Sequence, residues 1–167
     1  MNESQRRADV GRISLSGDGL TVTEPHKTEL SLTLDSVLES VEQVEVTAEQ
    51  FARRAEFDED TACHIGMVAR EAAANAVIHG NRGNPAKRVR ARFLLTDDAL
   101  TIHIADEGSG LDPQALRDPL AEENLHRANG RGIFLMKAIM DEVHFRQLSP
   151  GTEIVMKKRR GQKETEG

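Results

Sequence analysis

The chain holds 167 residues, with 22 Lys and Arg against 28 Asp and Glu and a net charge of −6. At this length one domain is expected, burying roughly 70% of its unfolded surface without disulfide staples. The negative balance disfavours sequence-independent attraction to nucleic acid or anionic lipid, and 3% aromatic content leaves few platforms for stacking single-stranded bases. The single Cys63 closes no intrachain disulfide and is read as a small buried residue in the reducing cytosol. No apolar stretch of the kind a signal peptide needs follows Arg6 and Arg7, and no uninterrupted apolar run reaches membrane-crossing length, so the expected location is cytoplasmic. With no Trp or Tyr, the core is expected to consist of Leu, Val, Ile, Ala and Met.

Residues 1–27 read as an N-terminal extension with one added strand. From Thr28 the pattern alternates, with Leu30, Leu32 and Leu34 on one face and Glu29, Ser31 and Thr33 on the other, which predicts a half-buried strand. Asp35 or Ser36 looks like the cap of a helix over residues 36–55, in which Val37, Leu38, Val41, Val44, Ala48, Phe51, Ala52 and Ala55 recur at three- and four-residue steps. Asp58 caps a second helix, with Ala62, Ile65, Val68, Ala69, Ala72, Ala76 and Val77 on its apolar side and an end near Gly80. After a turn-rich loop over 79–85, Lys87 to Leu95 and Ala99 to Ala105 flank Thr96-Asp97-Asp98 as an antiparallel hairpin. A polar loop from Asp106 to about Asn129 has a length that in compact domains marks lids or disordered segments. A third amphipathic helix starts near Gly130, strands follow over 143–148 and 152–158 around Ser149-Pro150-Gly151, and 159–167 read as a charged, frayed tail. The element order predicts an α+β two-layer sandwich: a mixed, mostly antiparallel sheet covered on one face by helices.

Three segments carry chemistry. On the second helix Glu71 and Asn75 are four residues apart and project together, and His79 continues the row. An amide oxygen is a hard ligand for Mg²⁺ and a carboxylate beside it can orient or deprotonate a nucleophile, although the same pair taken alone is an ordinary solvated polar face. At a strand end, Asp106-Glu107-Gly108-Ser109-Gly110 offers a carboxylate able to accept from an exocyclic amine such as that of adenine, with glycines that permit close backbone approach. In Asn129-Gly130-Arg131-Gly132-Ile133 a glycine-rich turn opens into a helix, whose unpaired N–H groups suit phosphate. Neither Gly-x-x-x-x-Gly-Lys-Ser/Thr nor a strand-following Gly-x-Gly-x-x-Gly occurs, so the two commoner nucleotide loops have no support. His79 reads as a loop-anchoring residue rather than a metal ligand, since no second His or Cys lies at ligand spacing, and Lys157 to Arg160 read as a solvated strand end.

The segments Glu71-x-x-x-Asn75-Ala76-x-x-His79-Gly80, Asp106-x-Gly108-x-Gly110 and Gly130-Arg131-Gly132-Ile133-Phe134-Leu135-Met136 resemble the N, G1 and G2 boxes of the GHKL (histidine-kinase-like) ATPase superfamily. Met136-x-x-x-Met140-Asp141-Glu142-Val143 and His79-Gly80-Asn81 resemble most closely its anti-sigma-factor serine/threonine kinase branch. The resemblance covers about residues 28–158 and implies the Bergerat-type ATP-binding fold, with 159–167 left as the tail. It further implies ATP and Mg²⁺ as cofactors, Asn75 as the metal-binding residue, Glu71 as general base and Asp106 as reader of the adenine amino group. Gly108, Gly110, Gly130, Gly132 and Ile133 would shape the nucleotide pocket, with Arg131 and nearby lid residues close to the phosphates, while His126 and Arg127 read either as phosphate contacts or as solvated lid residues.

The implied function is partner switching: a protein serine/threonine kinase that sequesters a sigma factor and phosphorylates a STAS-domain anti-anti-sigma protein, commonly as a homodimer, with no direct nucleic-acid or membrane contact. A non-catalytic ATP-dependent binding switch is the second reading. A histidine-kinase catalytic domain is third, because none of the six histidines is followed by Glu, Asp or Asn as a phosphoacceptor would be.

Overall fold

Period-two alternation builds the sheet and apolar spacing of three and four builds the helices above it, in a computed structural model that describes residues 20–24, 27–110 and 130–161. The strands are β1 (Leu20–Glu24), β2 (Lys27–Asp35), β3 (Arg88–Leu95), β4 (Ala99–Ala105), β5 (Glu142–Gln147) and β6 (Thr152–Arg159). They form one sheet in the order β1-β2-β3-β4-β6-β5, and each neighbouring pair is antiparallel. The expected mixture therefore resolves into uniformly antiparallel pairing, and the strand foreseen in the N-terminal extension is β1, an edge strand on β2. The expected lid, with His126 and Arg127, lies outside the described residues, as does the tail beyond Gly161.

The helices are α1 (Leu38–Arg54), α2 (Glu59–Asn75) and α3 (Gly130–Ile139). Along β3, Val89, Ala91, Phe93 and Leu95 are buried while Arg88, Arg90 and Arg92 face solvent, so the helices cover one side only. Many of the residues buried between α1, α2 and the sheet are alanines, including Ala48, Ala52, Ala62, Ala69, Ala72 and Ala73. Small side chains let helix axes approach closely. Ile, Val and Met fill the remainder of the core, together with the Phe51–Phe93 pair, whose ring centroids are 5.4 Å apart. Cys63 is exposed rather than buried, because the inward positions of that stretch of α2 belong to Ala62 and Ile65. Among the described residues no helix is long and apolar enough to cross a membrane.

Two helix starts contrast. Asp58 caps α2 as expected, accepting from Thr61 N at 2.8 Å, and the bond holds its carboxyl below the usual range. Neither Asp35 nor Ser36 caps α1: the N-cap is Val37, with no side-chain bond. Asp35 instead closes β2 in an ion pair with Arg88, and the Ser36 hydroxyl is buried, accepting from Asn81 Nδ2 at 3.1 Å. A tertiary partner outbid the local one. The strand end after Lys157 is likewise more than solvated charge. Arg160 donates to the Ala55 and Thr96 carbonyls, each at 3.1 Å, and so ties the end of β6 to the α1–α2 connection and the β3–β4 turn.

Past Asn75 the second helix widens into a single π-helical stretch, Ala76–Gly80, closed by Asn81 N donating to Ala76 O at 2.8 Å. Asn81 explains the widening. Only 1% exposed, its Nδ2 donates to Ser36 Oγ and, at 3.0 Å, to Arg88 O, while Glu107 N donates to its Oδ1 at 2.8 Å. One side chain thus joins the start of α1, the entry to β3 and the exit from β4. Asn81→Ala leaves the Arg88 carbonyl and the Glu107 N–H unpaired and is expected to lower unfolding stability by about 2–4 kcal/mol, read as a reduced urea midpoint with an unchanged m-value.

Candidate functional site

The site begins where β4 runs out. Asp106 follows the last residue of that strand and is 8% exposed. Its backbone still belongs to the ladder, with Asp106 N donating to Thr152 O at 3.0 Å. Its side chain turns back, and Oδ1 accepts from Gly108 N at 2.9 Å and from Thr152 N at 3.2 Å. Oδ2 accepts from none of the described residues, and Asp106 lines the cleft. The carboxyl pKa is raised by burial, against the opposing pull of the two N–H bonds and the nearby Lys87. The folded chain therefore holds this proton more tightly than the unfolded chain, so ionised Asp106 costs stability above its raised pKa, and that cost fades as pH falls through it.

Space around the carboxylate is reserved by missing side chains. A Cβ on Gly80 would overlap the Asp106 carboxyl, and one on Gly108 would overlap the Gly80 carbonyl. Gly108 therefore serves the junction between the end of α2 and the strand end and is not part of the cleft wall. Gly110 does line the cleft, at φ +89°, with Gln147 filling the place its side chain would take.

The cleft, about 150 Å³, runs from Asp106 along the last turn of α2. Ala72, Ala76, Ile104, Ile133, Phe145 and Ile154 form its apolar wall. Asn75, His79, Ser109 and Thr152 add polar groups. A cleft with an apolar wall and a buried carboxylate among its lining suits a base that donates an amino hydrogen.

At the other end α3 meets α2. The expected turn at Gly130 to Gly132 is the first turn of the helix itself. A Cβ on Gly132 would stand 3.1 Å from Glu71 Oε2 and 3.5 Å from Asn75 Nδ2. The first turn of α3 thus packs on the Glu71–Asn75 pair through Gly132, and a carboxylate is favourable near such a helix start. Ile133, next along, reaches the cleft wall. The Arg131 side chain lies outside the described residues.

Of the residues singled out in the sequence, Glu71, Asn75, Asp106, Gly110, Gly132 and Ile133 gather around one cleft and its rim. His79 differs from expectation. Its side chain makes no hydrogen bond among the described residues; it is exposed and lines the cleft. Thr152 was missed altogether. It lies 46 residues from Asp106, and only the β4–β6 pairing brings it to the carboxylate.

Known proteins resemble this chain in sequence and fold. A family model described as the histidine kinase-like ATPase domain matches residues 34–158. The chain belongs to that family. It is 32% identical over 143 residues to the anti-sigma F factor of Oceanobacillus iheyensis, covering 83% of this chain and 97% of that one. It is 24% identical over 143 residues to the serine-protein kinase RsbW of Listeria monocytogenes, covering 82% and 90%. Within the family it therefore falls on the anti-sigma-factor branch. The RsbU and RsbW domains of a Mycobacterium tuberculosis protein share the fold at a TM-score of 0.57 and 17% identity, over 78% of this chain and 32% of that longer one.

The glycine packing is open to direct measurement. Gly80→Ala drives a methyl into a carboxyl already fixed by two N–H bonds, and is expected to lower stability by about 1–3 kcal/mol in chemical denaturation.

Proposed function

We propose that this chain is an ATP-dependent protein serine/threonine kinase that holds a sigma factor in one nucleotide state and phosphorylates a STAS-type anti-anti-sigma protein in another. The observation that carries the reading is the placement of the first turn of α3 on Glu71 and Asn75 at one end of a cleft whose other end is Asp106. That arrangement offers a base-reading carboxylate, a phosphate-binding helix start and an acid–amide pair in the order a nucleoside triphosphate requires. The names of the Oceanobacillus and Listeria relatives support the anti-sigma and serine-kinase halves of the proposal. The cytoplasm as its location and a homodimer as its assembly follow from the resemblance to that branch.

The residues present fit a magnesium ion held mainly by its substrate. Among the described residues no three His, Cys, Asp or Glu side chains converge on a metal position. Mg²⁺ in phosphoryl-transfer sites takes few protein ligands and keeps phosphate oxygens and water for the rest. Asn75 would supply the amide oxygen, and the ion would neutralise charge on the phosphates. Asp106 Oδ2 would accept from the adenine amino group while the aliphatic wall excludes water from the base. Glu71 would take the proton of the attacking serine or threonine hydroxyl as its oxygen bonds to the γ-phosphorus and ADP leaves. Facing the first turn of α3, the Glu71 carboxylate would stand beside the phosphates held there.

Two outcomes are expected. With Mg-ATP and a STAS partner, Glu71→Gln keeps ATP affinity within a few-fold of wild type and loses about 10²–10⁴ in phosphotransfer rate, followed by phosphoprotein mass spectrometry. A wild-type chain that binds ATP and controls its partner yet transfers no phosphate would leave the binding switch as the function. ATP affinity in calorimetry is also expected to fall on acidification from above the ordinary carboxylate value of 3.8, because the raised pKa of Asp106 removes its charge early. Asp106→Asn, which reverses the polarity of one side-chain atom, is expected to weaken ATP about 10–100-fold and to abolish that pH dependence.

A further inference from the structure

The far end of α3 is held by a directed bond. Lys158 on β6 donates from Nζ to the carbonyl of Ile139, the last residue of the helix, at 2.8 Å. That carbonyl is one of the four a helix leaves without an internal partner, at the end where the macrodipole is negative and an ammonium is favoured. The Lys158 side chain is 25% exposed, with Asp141 Oδ1 4.0 Å from its ammonium. Around it, Asp141 N donates to Lys157 O at 2.9 Å and Arg159 N donates to Asp141 Oδ2 at 2.6 Å. The C-terminus of α3 is therefore stitched to the end of β6.

Apolar contacts alone do not set a helix along its axis. Met136 and Met140 are buried beneath α3 and fix its depth, but a methionine adapts to small shifts of its neighbours. A hydrogen bond to the terminal carbonyl is directional and short, and it does resist a slide. The opposite end of the same strand is Thr152, whose N–H holds Asp106. One strand thus carries the attachment points of both ends of the cleft.

We propose that Lys158 is a positioning residue for the phosphate end of the nucleotide site: by holding the C-terminal carbonyl of α3, it sets where the first turn of that helix stands over Glu71 and Asn75. The proposal rests on the reading of the cleft as an ATP site and adds a residue that touches no part of the nucleotide. Its signature is a split between ligands. ATP engages both ends of the cleft, whereas adenosine, which lacks phosphates, engages only the Asp106 end.

The test is calorimetry on the full chain with Mg-ATP and with adenosine. Lys158→Met is expected to weaken ATP about five- to tenfold while leaving adenosine within twofold of wild type, and Lys158→Arg, which keeps a cationic donor, to restore most of the ATP affinity. Lys158→Gln keeps a shorter neutral donor and gives the same split should the methionine variant fail to fold. Equal weakening of both ligands, or ATP binding at wild-type strength in the Met and Gln variants, would overturn the assignment. A wild-type chain that binds adenosine and ATP equally, or neither, would remove the ATP-site reading beneath it.

Discussion

A carboxylate buried at the meeting of three chain segments is the constraint around which the rest of the site is arranged. Asp106 lies at the exit of β4, receives an N–H from the start of β6 and faces the end of α2. Burying such a group is unfavourable unless hydrogen bonds compensate, and here the compensation comes from backbone amides, which no substitution other than proline removes. The arrangement holds the group at the cleft wall, and its burial raises the carboxyl pKa at some cost in stability. A site that must discriminate by hydrogen bonding leaves a partner unpaired for the wrong ligand, and that is where selectivity comes from.

The two ends of the cleft are supported differently. At Asp106 the support is the paired ends of two interior strands and glycine packing, rigid because strand ladders and missing side chains leave no alternative arrangement. At Glu71 and Asn75 the support is one helix laid on another, and its geometry follows from how α3 is anchored along its length. Phosphoryl transfer depends on alignment of donor and acceptor to fractions of an ångström, so the anchoring of that helix bears on rate as well as on affinity.

Much of this organisation is legible in the residues, and what is not has a physical reason. Alternation marks β2, β3 and β4 because one face of the sheet meets helices and the other meets water. The three motifs announce Glu71, Asn75, Asp106 and Gly132 because each is a local pattern: a four-residue step, a strand end rich in glycine, a helix start. The cap of α1 misleads because Asp35 and Ser36 find partners, Arg88 and Asn81, more than forty residues distant. Thr152 and Lys158 are silent for the same reason. Their partners, Asp106 and the Ile139 carbonyl, come near only after β6 inserts between β4 and β5. Long-range hydrogen bonds leave no periodic trace.

The wide stretch at the end of α2 bears on how such a chain can vary. A regular α-helix advances about 100° per residue, and the extra residue between Ala76 and Gly80 shifts the phase of everything after Asn75 by one such step. Glu71 and Asn75 obey one angular clock, Gly80 and Asn81 another. Substitutions in this segment alter only what they touch, whereas loss or gain of a single residue would turn Gly80 away from Asp106 and pull Asn81 out of its hole. Away from Gly80 and Asn81, the permitted drift here is in the identity of side chains and not in their number.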